Sequence, residues 1–124
     1  MRILFTFFII FILTACVGLP SNEEAALADY GVYPNNYEEI VKNYYYTALK
    51  DPDSARFKNI SIPKKYWLGD RFTGAKFGYL VAVTINAKNS YGAYTGYETH
   101  ALLLRNGNVI EYVNNCRWFE KMVC

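Results

Sequence analysis

Between two apolar runs, Glu98–Arg105 (ETHALLLR) and Asn108–Val113 (NVIEYV), stands the dipeptide Asn106-Gly107. A type I′ turn needs positive φ at both central residues, and Asn-Gly meets that need at low steric cost. The dipeptide turns the chain back and makes the two runs neighbouring antiparallel strands. A two-residue loop pairs Leu104 with Val109, Leu103 with Ile110 and Ala101 with Tyr112. That register predicts Leu102, Leu104, Val109 and Val113 on one face, and Leu103, Ile110 and Tyr112 on the other. Both faces are largely apolar, so both need cover. A helix should supply one cover, and the C-terminal segment or a partner the other.

The strongest strand signal is Phe77–Ala87 (FGYLVAVTINA), where Phe77, Tyr79, Val81, Val83 and Ile85 share a face. Residues 57–62 (FKNISI) form a weaker one. Residues 63–76 hold Pro63, Gly69 and Gly74 and read as a loop. Asn36-Tyr37-Glu38-Glu39 reads as a helix start with a capping box between Asn36 and Glu39. Tyr37, Ile40, Val41, Tyr44, Tyr45, Ala48 and Leu49 then make one stripe. Pro52 disfavours helical geometry at Asp51, so the helix should stop near Lys50. Asp51-Pro52-Asp53-Ser54 suits a second short turn with proline at its first position. The expected fold is α+β: one long helix packed on a small antiparallel meander of three to four strands.

The address is written at the other end of the chain. MRILFTFFIIFILTAC carries one charge, Arg2, before an apolar run from Ile3 to Leu13. That run is too short to span a bilayer, which takes about 20 residues, and has the length of a signal-peptide core. It ends in Leu13-Thr14-Ala15-Cys16, which resembles the lipobox of bacterial lipoproteins. The resemblance implies that residues 1–15 are removed and that Cys16 carries diacylglycerol and an acylated amino group. Two or more acyl chains anchor stably. Val17, where an aspartate would signal inner-membrane retention, implies the outer membrane with the domain in the periplasm. An uncleaved anchor or an ordinary cleaved signal is the alternative. Residues 16–35 then read as lipidated cysteine and tether, and 36–124 as one domain.

Composition narrows the function classes. The formal charge is +2, and +1 once Arg2 is gone. That near-neutral balance gives no electrostatic case for nucleic acid. With Cys16 lipidated, Cys116 and Cys124 remain for a disulfide in an oxidising compartment. Two cysteines with no nearby histidine make a poor metal set, so neither a metal nor a cofactor is expected. His100 is the one histidine. A hydrolase would have to combine it with Asp70 and Glu98, and no nucleophile motif or phosphate loop accompanies them.

The run NAKNSYGAYTGY, Asn86–Tyr97, holds the best candidate site. Gly92 and Gly96 permit backbone angles closed to other residues, while Asn86 and Asn89 can hold turns. Tyr91, Tyr94 and Tyr97 bring rigid aromatic area with a polar handle, the material of binding loops. Lys88 adds a mobile charge. The loop is either a well-specified connection, a binding site, or both. Together with LKDPDSARF, residues 49–57, it resembles a pattern in small uncharacterised secreted proteins and lipoproteins of Gram-negative bacteria. There a "DP-S-A-F" segment precedes a strand ending in "NAKNSYGGYTG". A Cys-Gly pair often precedes that asparagine; Ala82-Val83-Thr84 stands here instead, so a bridge from that strand is absent. The resemblance covers about residues 49–97 and implies an envelope group without an activity. The expected function is a non-catalytic binding or assembly module for another envelope protein or an envelope polymer. A small periplasmic enzyme inhibitor or hydrolase is the alternative.

Overall fold

The computed structural model describes residues 18–70 and 72–114. Two helices, α1 (Asn22–Leu27) and α2 (Tyr37–Ala48), come first, followed by a 3-10 turn at Pro52–Ser54. Five strands follow: β1 (Arg56–Ile60), β2 (Lys64–Asp70), β3 (Gly74–Asn86), β4 (Glu98–Arg105) and β5 (Asn108–Val113). They form one antiparallel sheet in the order β1-β3-β4-β5, with β2 also paired to β3. The expectation of one long helix on a small meander is therefore overturned. The sheet dominates, and among the described residues α2, with 12 residues, is the only helix of seven or more.

The additional strand explains most of that difference. β3 is long enough, at 13 residues, to carry two partners end to end on one side. β2 pairs with its first half, from Asp70↔Gly74 to Lys64↔Leu80, and β1 with its second half. Pro63 precedes β2, where no ladder N–H is needed. Gly69 stands where a Cβ would lie 2.0 Å from the Gly74 carbonyl oxygen. The residues that look like breakers are therefore boundary and close-approach residues of a hairpin.

On one face of the sheet, Val81, Val83, Ile85, Leu102 and Leu104 bury against Ile40, Val41 and Tyr45 of α2. On the other, Leu80, Ala101 and Leu103 form a second cluster with Tyr66, Leu68, Ile110 and Val113 against it. The expected capping box at Asn36 is not formed. Asn36 has φ −97°, ψ 32° and no side-chain cap bond, outside the extended geometry a cap needs. A capping box closes α1 instead, between Ser21 and Glu24.

Asn106 and Gly107 have φ of 50° and 82°, as a type I′ turn requires. Arg105↔Asn108 and Leu104↔Val109 follow from it, but a bulge then shifts the register, so Leu103 meets Glu111 and Leu102 meets Tyr112. The expected pairs Leu103–Ile110 and Ala101–Tyr112 are replaced. Tyr112 moves to the α2 face and Val113 to the opposite one, since one extra residue re-aims the side chains beyond it.

The stretch 28–35, read in sequence as tether, lies against the sheet. Tyr30 is buried, its ring edge-on to Phe77 at 5.4 Å, and Tyr33 meets Tyr79 at 5.3 Å. Arg105 donates to the Asp29 carbonyl at 2.6 Å, and the Val32 amide donates to Asn106 Oδ1 at 3.4 Å. The N-terminal segment therefore docks at the end of the sheet where β3 begins. The loop Asn86–Tyr97 leaves from the other end.

Candidate functional site

Loop 86–97 is built from nested turns, each closed by an asparagine. Asn86, the last residue of β3, accepts from the Gly96 amide through Oδ1 at 3.2 Å and closes the outer ring. Asn89 accepts from the Tyr91 and Ala93 amides at 2.9 and 3.2 Å and closes the inner one. Backbone bonds from Asn89 N to Ala93 O and from Gly92 N to Asn89 O complete a small hairpin, with Lys88 bridged to Tyr94. Gly92 adopts φ 76° and Gly96 φ 108°, so both positions favour glycine for conformational reasons.

A second segment fixes this loop from below. Ser54, 9% exposed, donates its hydroxyl to the Asp51 carbonyl at 2.7 Å and accepts the Lys88 amide at 2.9 Å. Its own carbonyl accepts the Tyr94 hydroxyl at 2.8 Å. The Arg56 guanidinium lies 4.2 Å from the Tyr94 ring centroid, and Lys88 approaches the same ring. Lys50, after α2, donates to Ser90 Oγ at 2.7 Å. The strings LKDPDSARF and NAKNSYGAYTGY are thus the two halves of one hydrogen-bonded corner. Ser54 and Arg56 are site residues that sequence reasoning missed. Their presence in the shorter string was the available signal.

The structure separates the candidate residues by job. Asn86, Asn89 and Tyr94 are struts: Asn86 and Asn89 close turns, and the Tyr94 hydroxyl is committed to Ser54. Lys88 contributes its amide to the same corner. Tyr91 stands at the tip with 93% of its surface exposed, and Tyr97 is half exposed with Lys58 beside its ring at 5.6 Å. Large aromatic area held in water on a fixed backbone is what a partner can bury at low ordering cost. Cys16, Cys116 and Cys124 lie outside the described residues.

The set that the hydrolase alternative would need is only partly assembled. His100 is buried, its Nε2 3.2 Å from Glu98 Oε2 and its Nδ1 3.1 Å from the Tyr45 hydroxyl. Tyr45 stacks on the imidazole at 6.2 Å and Tyr112 meets it edge-on at 5.3 Å. Both ring nitrogens are therefore engaged, Nδ1 tying α2 to β4 and Nε2 bonding within β4. Asp70 pairs with Gly74 while His100 pairs with Val83. Nine residue steps along β3, from Gly74 to Val83, put the two backbones about 30 Å apart. Burial pushes the Tyr45 phenol above its usual range, with neighbouring Tyr112 and Tyr44 adding to the effect. The Tyr45 phenol thus holds its proton, and the cluster packs between α2 and the sheet.

Comparison of the chain with models of known families, with curated proteins and with solved structures finds no match in any of the three.

Proposed function

We propose that the protein is a lipid-anchored, non-catalytic envelope module that offers loop 86–97 to another envelope protein, with Tyr91 as the leading contact and Tyr97 beside it. The observation that carries this reading is the pairing of rigidity with exposure. Every turn of the loop is closed by a side chain, yet the tip residue Tyr91 is left in water. A connection needing only to join β3 to β4 gains nothing from an aromatic there. A binding loop gains contact area whose ordering cost is already met in the fold. The placement agrees: the segment leading back to Cys16 docks at the opposite end of the sheet, so the loop points away from an anchor at that residue. The same rigid, convex tip would serve an inhibitor entering an enzyme's cleft.

A photoreactive residue at position 91 in living cells tests this, with a control at Lys42, an exposed residue of α2. The expected result is one discrete protein adduct from position 91 and none from 42. Equal adducts from both, or none from either, would remove the loop as a binding site. An adduct with an enzyme whose activity falls on binding would select the inhibitor form.

A further inference from the structure

The end of the sheet opposite the loop carries a different kind of exposed surface. Among the described residues, five large exposed apolar side chains lack a hydroxyl: Leu19, Leu27, Val32, Ile62 and Phe72. Leu27, Val32 and Phe72 belong to this one end. Leu27 ends α1, whose Ala25 carbonyl accepts from the Tyr30 hydroxyl. Val32 has its amide bonded to Asn106 of the β4–β5 turn. Phe72 tops the β2–β3 turn, two residues before Gly74. A groove lined by Ala28, Asp29, Ala75, Lys76, Phe77 and Arg105 places the end of α1 beside the start of β3. Leu27 is 88% exposed, Val32 76% and Phe72 94%. Single exposed apolar residues are ordinary, but a cluster at one end of a small domain marks a contact surface.

We infer that this end is a lipid-facing seat, with Leu27, Val32 and Phe72 entering the headgroup boundary of the bilayer that holds Cys16. The inference rests on the lipid-anchor reading. Cys16 is five residues from Ser21, which caps α1, and that span reaches at most about 17 Å. α1 runs directly into the docked segment, so an anchored chain cannot carry this end far from the lipid. A partner that is everywhere within reach and takes apolar side chains without shape matching is the bilayer surface itself. Of the carboxylates of α1 and the docked segment, Glu24 and Asp29 are committed within the protein, while Glu23 stays in water. Glu24 accepts from the Ser21 amide, and Asp29 pairs with Arg105. The seat is therefore shallow and apolar, and on a zwitterionic lipid surface its attachment should not depend on salt.

The test uses the full lipid-modified chain reconstituted in phosphatidylcholine vesicles. A fluorescent amino acid is placed at position 32, 72 or 91, and quenching by lipids brominated near the headgroup is read. Quenching at 32 and 72 should exceed that at 91 by at least about twofold, and raised salt should not change it. Phe72→Ser should lower the quenching read at 32, which checks that the label itself does not create the contact. Protein that floats with the vesicles but shows equal quenching at all three positions would overturn the seat and leave the anchor standing. Protein that does not float would overturn the anchor and the seat together.

Discussion

The two ends of β3 hold large side chains in water by different means. At the Asn86 end, directional bonds do the holding: two asparagine side chains, one serine and one tyrosine hydroxyl fix the loop. At the Gly74 end, the rings of Tyr30 and Tyr33 pack on Phe77 and Tyr79, with Arg105 as the principal polar tie. Directional bonds specify a shape, whereas ring packing fills space and tolerates small shifts. What each end exposes follows the same division. The bonded end shows tyrosines, which suit a half-wet protein contact. The packed end shows leucine, valine and phenylalanine most fully, with Tyr33 less exposed beside them, a mix that suits a surface without fixed shape. A small domain can therefore carry one contact that demands geometry and another that demands only apolar area.

Removing one holding device at a time should loosen one end and leave the other intact. Tyr30→Ala deletes a buried ring with contacts to Phe77 and Tyr79 and should cost about 3 kcal/mol in denaturant unfolding. It should loosen residues 28–35 while leaving amide exchange in loop 86–97 unchanged. Ser54→Ala should cost about 1 kcal/mol, because the partly buried Lys88 amide loses its acceptor. Its effect should be the mirror image, with faster exchange in the loop and none at Asp29–Tyr33.

Tyr45→Phe probes the frame shared by both ends and should cost about 1 kcal/mol at neutral pH, the worth of the bond to His100. The wild-type phenol has its pKa raised from 10.0 in the folded protein, first by burial and then by Tyr112 and Tyr44. The folded state thus keeps a proton that the unfolded chain gives up. Tyr45's contribution is intact below pH 10 and is lost as pH climbs from there through the raised folded value. Unfolding followed above pH 10 should show a shallower loss in Tyr45→Phe than in wild type. The smallest expected effect on stability is that of Tyr91→Ala, within about 0.5 kcal/mol, although it should abolish the adduct formed from a photoreactive residue at Tyr97.

What was legible in the sequence was local. Asn106-Gly107 announces its turn because two adjacent residues suffice to specify it, and the alternation of Phe77–Ile85 marks a strand without outside help. The turn residues of loop 86–97 were readable for the same reason. The bulge before Leu104 was not, since no glycine or proline marks it, and the position of Tyr112 against His100 depends on it. β2 was hidden because Pro63 and Gly69 resemble breakers until the pairing of Lys64–Asp70 with β3 is known. Ser54 lies 34 residues from Lys88, and no local pattern predicts which loop a buried serine will hold. The segment Asp29–Tyr33 looked like tether because its packing partners, Phe77, Tyr79 and Arg105, arrive much later in the chain.

The central claim is that the tyrosine loop is a preformed object and does not take shape only on binding. Native-state hydrogen exchange of the Lys88, Tyr91, Ala93 and Gly96 amides tests it most directly, since each is bonded within the corner although the loop is largely exposed. The account predicts protection at all four in the free protein and its loss at Lys88 in Ser54→Ala. Exchange at all four as fast as in an unstructured chain would contradict it, and would leave Tyr91 on a loop that must pay for its shape when a partner arrives.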